Sequence, residues 1–373
     1  MKILRTLRQG FSGVRHPNPS RIMIPLFGED ACLHEGNGSS LSRILRPILP
    51  DLEVVQGHLA RTLRDTNDSS VRQIVDFLLE SPGKRMRPAL ALLSARAALG
   101  KGNGSPGLGR ASLNVATAVE LIHMASLVHD DLIDAATVRH HRPSVPAKWG
   151  RRVSAAVGDH LCGKAFQLVA DCANPRLFAI LGSPLCEMCE GELLQVAWRG
   201  DFSLSEDRCL AVVEKKTAAL FSACCAAGAM TTVHEPIICE VLERFGYHFG
   251  VAFQILDDCK DLLSDEKRLG KTPGQDLLAG DVTLPLVYLI RNFLRGSEKA
   301  LDLRRQTVGE RELVRLSKAF HSSSAPGKIA QLITSHIGQA GQQLESIADS
   351  EFKVSLQRLA DHIAASISDV LAR

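Results

Sequence analysis

The sequence predicts an all-α chain, a single-domain bundle of long helices. Apolar positions recur at helical spacing over long stretches, no comparable stretch alternates with period two, and no linker divides the chain. A chain of 373 residues is long enough to bury a large core. Residues 1–45 stand apart. Residues 1–28 carry Lys2, Arg5, Arg8, Arg15 and Arg21 and no acid, while Pro17, Pro19 and Pro25 weaken any amphipathic helix beyond the first dozen positions. That segment reads as a basic, flexible extension on a cytoplasmic protein; an organelle transit segment is the alternative. The remainder, 46–373, reads as one domain. Its clearest helical runs are Leu113 to Val128, Leu210 to Met230, Val241 to Leu256 and Ile329 to Ile347. The stretches Gly100 to Gly109 and Ser322 to Gly327 read as helix-to-helix loops.

Composition excludes several classes. A net charge of +3 is too small to argue for nucleic acid, and 5% aromatic residues offer no stacking platform for bases. The small-residue run Ala218 to Val233 is too short and too often interrupted, by Ser222, Gly228, Thr231 and Thr232, to cross a membrane. It reads as a buried helix, and no transmembrane segment is expected. Ten cysteines invite a zinc reading, but the CxxC pair Cys186 and Cys189 could be completed only by adjacent Cys224 and Cys225 on that buried helix, which is poor zinc geometry. Most cysteines are expected to be small core residues in a reducing compartment.

Two copies of one acidic pattern carry the chemistry: Asp130-Asp131-Leu132-Ile133-Asp134 and Asp257-Asp258-Cys259-Lys260-Asp261. On a helix, positions i and i+4 share a face, so Asp130 pairs with Asp134 and Asp257 with Asp261. Each pair follows an apolar run, where an uncompensated set of ionised carboxylates is costly. All-oxygen ligands of this kind select a hard ion such as Mg²⁺, which usually bridges carboxylates to substrate phosphates. Opposite charge is supplied by Gly83-Lys84-Arg85-Met86-Arg87-Pro88, by Arg139-His140-His141-Arg142-Pro143, by Lys215-Lys216-Thr217 and by Lys271. Arg and Lys hold phosphate oxygens through charge-assisted hydrogen bonds.

The segments GKRMRP at Gly83 to Pro88, HDDLID at His129 to Asp134, KKTA at Lys215 to Ala218, FQILDDCKD at Phe253 to Asp261 and GKTPGQDLLAGDVTLPL at Gly270 to Leu286 resemble the all-trans polyprenyl diphosphate synthases. Order and approximate spacing match from about residue 46 to the C-terminus. The resemblance implies the isoprenoid synthase type I fold, with a central substrate tunnel, and a homodimer or a heteromer with a related subunit. It implies transfer of an allylic diphosphate's prenyl group to isopentenyl diphosphate. Mg²⁺ would be held by Asp130, Asp134, Asp257 and Asp261, with Asp131 and Asp258 completing the catalytic motifs. Arg139, Lys216 and Lys271 would contact the allylic diphosphate. Lys84, Arg87, His123 and His140 would belong to a metal-free site for isopentenyl diphosphate, and Thr217 and Gln254 match further substrate-contacting positions. Gln195, in Gly191-Glu192-x-x-Gln195, matches a family pattern whose role the sequence does not supply.

Two further readings follow from the resemblance. Ala125 and Ser126, one turn before Asp130, stand where bulky residues accompany short products, so their small size points to a geranylgeranyl or longer chain, a quinone side-chain precursor. His140 departs from a family pattern of two consecutive arginines. A neutral imidazole offers one N–H where arginine offers a charged fork, and nearby Arg142 is the alternative source of that charge. Three rival activities stay open: a class I terpene cyclase, whose second metal motif is typically of the NSE type; a non-catalytic subunit of a heteromeric synthase; and an unrelated metal-dependent phosphohydrolase.

Overall fold

The computed structural model describes residues 40–81, 83–100, 108–139, 142–233, 235–263, 274–293 and 310–371. They divide into two compact units, one within residues 1–92 and 108–175 and the other within 93–107 and 176–373. Apart from one two-residue ladder, the regular structure of the described residues is helical.

The first unit is arranged around α5 (Arg110–Ile133). From Asn114 to Ile122 every residue of this helix is buried, mostly apolar but including Asn114, Thr117 and Glu120, so it is a core helix covered on all sides. Its length and composition would also suit a membrane span, yet 72% of the relevant window is buried inside the protein. It packs along α7 (Arg151–Ala170) and against α2 (Leu49–Arg64). Before it come α1 (Ser40–Ile44), a 3₁₀ turn (Arg46–Ile48), α3 (Ser69–Leu79) and the start of α4 (Met86–Leu99). Among the described residues helical structure begins at Ser40, inside the expected extension, and Ile44 and Leu45 are buried. Asp68 caps α3 by accepting from the N–H groups of Ser70 and Val71 at 2.8 and 3.1 Å. Between α5 and α7 lie β1 (Val138–Arg139), β2 (Arg142–Pro143) and the short α6 (Val145–Trp149). The strands pair antiparallel, Arg139 opposite Arg142, a hairpin too short to leave an alternating pattern in the sequence.

The second unit contains the rest of α4, α8 (Pro175–Ala197), α9 (Glu206–Val213), a π-helical segment Glu214–Ala218, α10 (Ala219–Met230) and α11 (Pro236–Leu263). The run Leu210 to Met230, uniform in sequence, is therefore broken by a π turn at its lysines. Helices α12 (Gln275–Ala279), α13 (Leu284–Phe293), α14 (Glu310–His321), α15 (Ala325–Leu344) and α16 (Glu351–Leu371) complete it. The loop expected at Ser322 to Gly327 is shorter than predicted: α15 starts at Ala325, because Pro326 in its first turn lacks only an N–H that no helix would use there. The loop expected at Gly100 to Gly109 lies largely outside the described residues.

Helix α11 is the centre of this unit and packs on α10 and α15. Glycines let α10 and its π-helical lead-in approach to backbone contact. A Cβ on Gly246 would stand 2.5 Å from the Phe221 carbonyl oxygen, and one on Gly250 would stand 2.7 Å from the Cα of Ala218. Every residue of α10 from Ala219 to Ala229 except Ser222 is buried, so the small-residue run is a core helix. The nine described cysteines are free; Cys209, Cys224, Cys225, Cys239 and Cys259 are buried, while Cys186 and Cys189 are exposed.

Where α11 meets α15, the imidazoles of His248 and His336 contact through Nδ1 atoms 3.1 Å apart. Burial, and for His248 also the neighbouring His336, hold both below the ordinary histidine pKa. Above about pH 6.5 both rings are neutral in the folded and unfolded chain. As pH falls below that value the unfolded chain takes up protons first, so stability is lost as pH drops through the depressed folded values. Melting temperature should therefore fall between about pH 7 and about pH 5, and more gently in His336→Gln. Equal slopes in the two proteins, followed by circular dichroism, would remove this pair from the acid response.

Candidate active site

Both acidic motifs stand at the C-terminal end of the core helix of their own unit. Carbonyl dipoles make such an end partially negative, so carboxylates there are disfavoured until a cation joins them. In the first motif Asp130 is half-buried on the last turn of α5, and Asp134 is its exposed C-cap, donating its N–H to the Asp130 carbonyl at 2.8 Å. Asp131 turns inward and is only 3% exposed. Burial raises its pKa, against the pull of Arg139, whose Nε and one terminal nitrogen reach Asp131 Oδ1 at 2.8 and 2.7 Å. Asp131 thus acts on the arginine of the following hairpin.

In the second motif Asp257 is exposed and Asp258 and Asp261 are buried. Asp258 is held well above the usual carboxylate range, first by burial and then by the charge of Asp276, with Asp257 and Asp261 adding to it. Gln254 opposes this by donating Nε2–H to Asp258 Oδ1 at 2.7 Å, and its own Oε1 accepts from the Thr217 hydroxyl at 2.8 Å. Asp276 was not singled out from the sequence. It begins α12, donates its backbone N–H to Asp261 Oδ2 at 3.2 Å, and adds a fourth acid to the cluster. Asp281 stabilises that segment from its far side through Arg199, Nε to Oδ1 at 2.7 Å.

Lys216 and Thr217 lie on the π segment, whose wider turn re-aims side chains relative to an α-helix. The Lys216 ammonium donates to Gln195 Oε1 at 2.7 Å and pairs with Glu192, both on α8. Its stem lies on the bare backbone of Gly191, where a Cβ would stand 2.7 Å from Lys216 Cγ. The Gly191-Glu192-x-x-Gln195 pattern therefore has a structural role: it aims Lys216. Glu192 was missed because nothing in the sequence pairs it with a lysine on another helix.

The cationic loop of the first unit is equally organised. Arg85 adopts a left-handed backbone with φ of 48°, a conformation that costs a non-glycine residue energy. It is retained by a buried pair with Glu120, NH1 to Oε1 at 2.5 Å, and by a 3.0 Å bond from Nε to Gln56 Oε1. That turn leaves Lys84 exposed and Arg87 in the first turn of α4, where helix N–H groups also favour an anion. Arg85 and Glu120 were likewise missed; a basic residue between two assigned ones gives no sign that it faces inward. Arg142, the alternative to His140, bonds Glu80 at 2.6 Å through one terminal nitrogen and stacks on Phe77, 4.6 Å from the ring centroid. His123 is half-buried on α5, and Ala125 is 1% exposed on the same helix. The hydroxyl of Ser126 bonds back to the His123 carbonyl at 2.9 Å. His140 and Lys271 lie outside the described residues.

Among the described residues no three His, Cys, Asp or Glu side chains form a ready metal cage. Separated carboxylates at negative helix ends instead fit a hard cation that keeps part of its shell and shares it with phosphate oxygens. Acids so placed, and cations and a helix N-terminus suited to anions, are the groups that an enzyme acting on phosphorylated substrates with a divalent metal requires.

Comparison with known proteins agrees. Residues 68–315 match the polyprenyl synthetase family. The chain is 39% identical over 241 residues to heptaprenyl diphosphate synthase component 2 of Geobacillus stearothermophilus, covering 64% of this chain and 72% of that one. It is 34% identical over 323 residues to all-trans-nonaprenyl-diphosphate synthase (geranyl-diphosphate specific) of Rhodobacter capsulatus, covering 85% and 96%. Its fold matches polyprenyl synthase from Caulobacter crescentus, crystallised with calcium and isoprenyl diphosphate, with a TM-score of 0.79, 28% identity and coverage of 87% and 97%. The chain belongs to the polyprenyl synthetase family and is a prenyltransferase.

The Gly191 contact makes a specific test. Gly191→Val places methyl groups where the Lys216 stem runs, so prenyl transfer should fall about tenfold to a hundredfold while helix content is kept. Unchanged turnover, with circular dichroism as the control, would show that the aim of Lys216 is immaterial.

Proposed function

We propose that this chain is a Mg²⁺-dependent trans-prenyltransferase that condenses isopentenyl diphosphate with an allylic diphosphate, giving an all-trans polyprenyl diphosphate of geranylgeranyl length or longer. One observation carries the reading: the acidic motif recurs at the C-terminal end of the core helix of each unit. Asp130, Asp134, Asp257 and Asp261 would hold the metal. When bound, Mg²⁺ spreads the negative charge of the departing diphosphate and makes it a better leaving group. Lys216, Thr217 and Gln254 bind and orient the allylic diphosphate, together with Arg139. Lys84 and Arg87, at the start of α4, fix the diphosphate of isopentenyl diphosphate without metal. Cleavage of the allylic C–O bond leaves a carbocation; the alkene of isopentenyl diphosphate attacks it, and loss of a proton gives a chain longer by five carbons. No side-chain base is assigned, so the protein contributes position and charge.

Ala125 and Ser126 support the longer product. Their side chains are small one turn before Asp130, where a bulky residue would limit a growing tail. Likeness to a heptaprenyl synthase component 2 favours a second reading, in which the chain is the catalytic subunit of a heteromer rather than a homodimer. Purified chain given Mg²⁺, labelled isopentenyl diphosphate and a set of allylic primers separates these: elongation by the chain alone supports a self-sufficient enzyme, and elongation only after a partner is added supports the heteromer. Release of inorganic phosphate with no longer prenyl chain would refute both.

Asp130→Asn and Asp257→Asn should each lower turnover a hundredfold or more, about 3 kcal/mol, with helicity unchanged. Near-normal synthesis by both at saturating Mg²⁺ would sink the metal assignment. Ala125→Tyr should shorten the product without abolishing the first condensation, because the ring fills space needed only by a longer tail. An unaltered product ladder, read by chromatography of the dephosphorylated prenols, would place the limit on length elsewhere.

A further inference from the structure

Helix α7 touches the last turn of α5 at two points, and neither belongs to the assigned chemistry. At the first, the His129 ring lies on the bare backbone of Gly158: a methyl group there would stand 2.6 Å from His129 Cε1 and overlap the ring. The imidazole Nε2 also faces Asp159 Oδ1 at 3.7 Å. At the second, the Arg151 guanidinium donates to the Leu132 carbonyl at 3.0 Å. Arg151 stands in the first turn of α7, where its own helix dipole disfavours positive charge, and it serves the negative end of α5 instead. Residues 151 and 158 are two turns apart on one face of α7, and 129 and 132 are neighbours on one face of α5. Asp130 and Asp131 lie between these two anchored positions. A turn tied at one residue can still rotate; a turn tied at two has its side-chain directions fixed.

We infer that Gly158, His129 and Arg151 are positioning residues for the first acidic motif, α7 acting as a splint that sets the direction in which Asp130 and Asp134 present their oxygens. The contact at Gly158 sets the rotation of the turn, and Arg151 fixes its end by satisfying a carbonyl that has no helical partner. A side chain at 158 would push the His129 ring away and turn Asp130 with it. This inference rests on the metal-and-diphosphate reading above.

The test measures binding rather than turnover. Isothermal titration with Mg²⁺ and inorganic diphosphate is applied to the unaltered chain, Gly158→Ala, His129→Ala, the double variant and Arg151→Met, with helicity and melting followed alongside. Gly158→Ala should weaken binding about tenfold, the scale of a small misplacement of a ligand. The same substitution should cost almost nothing in the His129→Ala background, because the ring it displaces is gone. A merely structural glycine would lower the melting temperature in both backgrounds and leave affinity alone. Arg151→Met should weaken binding several-fold with normal helicity, and it carries the test should Gly158→Ala fail to fold. Wild-type affinity in Gly158→Ala or in a folded Arg151→Met overturns the inference, as does an equal loss with and without His129. Failure of the unaltered chain to bind Mg²⁺ and diphosphate overturns the functional reading itself, and the inference with it.

Discussion

Negative charge gathered at the negative ends of two core helices is the constraint on which the rest of this protein depends. An apolar helix such as α5 or α11 is stable because it is buried, and burial is what makes a carboxylate at its end expensive. The protein compensates locally. Arg139 holds Asp131, Arg151 satisfies the Leu132 carbonyl, Gln254 donates to Asp258, and the backbone N–H of Asp276 donates to Asp261. Each of these partners serves a group turned inward or a main-chain atom. Asp134 and Asp257, by contrast, are exposed, and a cation arriving from solvent would find their oxygens accessible. The same electrostatics that would destabilise an empty site therefore provides the driving force for filling it.

Aim comes from glycine as well as from added interactions. At Gly158 and Gly191 a bare helix backbone receives a side chain, the ring of His129 in one unit and the stem of Lys216 in the other. Gly246 and Gly250 remove the side-chain layer between α10 and α11, so that the π segment carrying Lys216 and Thr217 is seated directly on the core helix. Packed interiors do not deform continuously, so a contact without slack converts helix placement into side-chain direction. The glycines thus link packing to direction: their absent atoms define where the His129 ring and the Lys216 stem can lie.

Much of this was legible in the sequence. The apolar runs around Leu113 to Val128 and Val241 to Leu256 fall within α5 and α11, because the buried face of a helix repeats at helical spacing. The pairing of acids within each motif was legible for the same local reason: i and i+4 are neighbours whatever surrounds them. What escaped was non-local. Glu192 and Lys216 are brought together by helix packing, as are Arg85 and Glu120, and their pairing leaves no periodic trace. The loop at Ser322 to Gly327 was overextended for a different reason: Pro and Gly are read as breakers, yet at the start of α15 proline is pre-organised for the helix. The hairpin at Arg139 and Arg142 has two residues per strand, below the length at which alternation can be seen.

Pairing a cation with an acid does not exhaust its binding capacity, as the geometry of arginine shows. A guanidinium has five N–H donors in a rigid fork. Asp131 engages Arg139 through Nε and one terminal nitrogen, which leaves donor capacity for a second anion and takes away the freedom of a long side chain. Ordering such a side chain costs on the order of 1–2 kcal/mol, and here folding has already met that cost. Lys216 is fixed by Glu192 and Gln195 in the same way, and Arg85 by Glu120, though the last acts on backbone shape rather than on substrate. A multiply charged diphosphate gains more from an ordered cation than from a mobile one, because the interaction it forms need not first restrict the side chain. Acid partners thus order these cations before any other anion arrives.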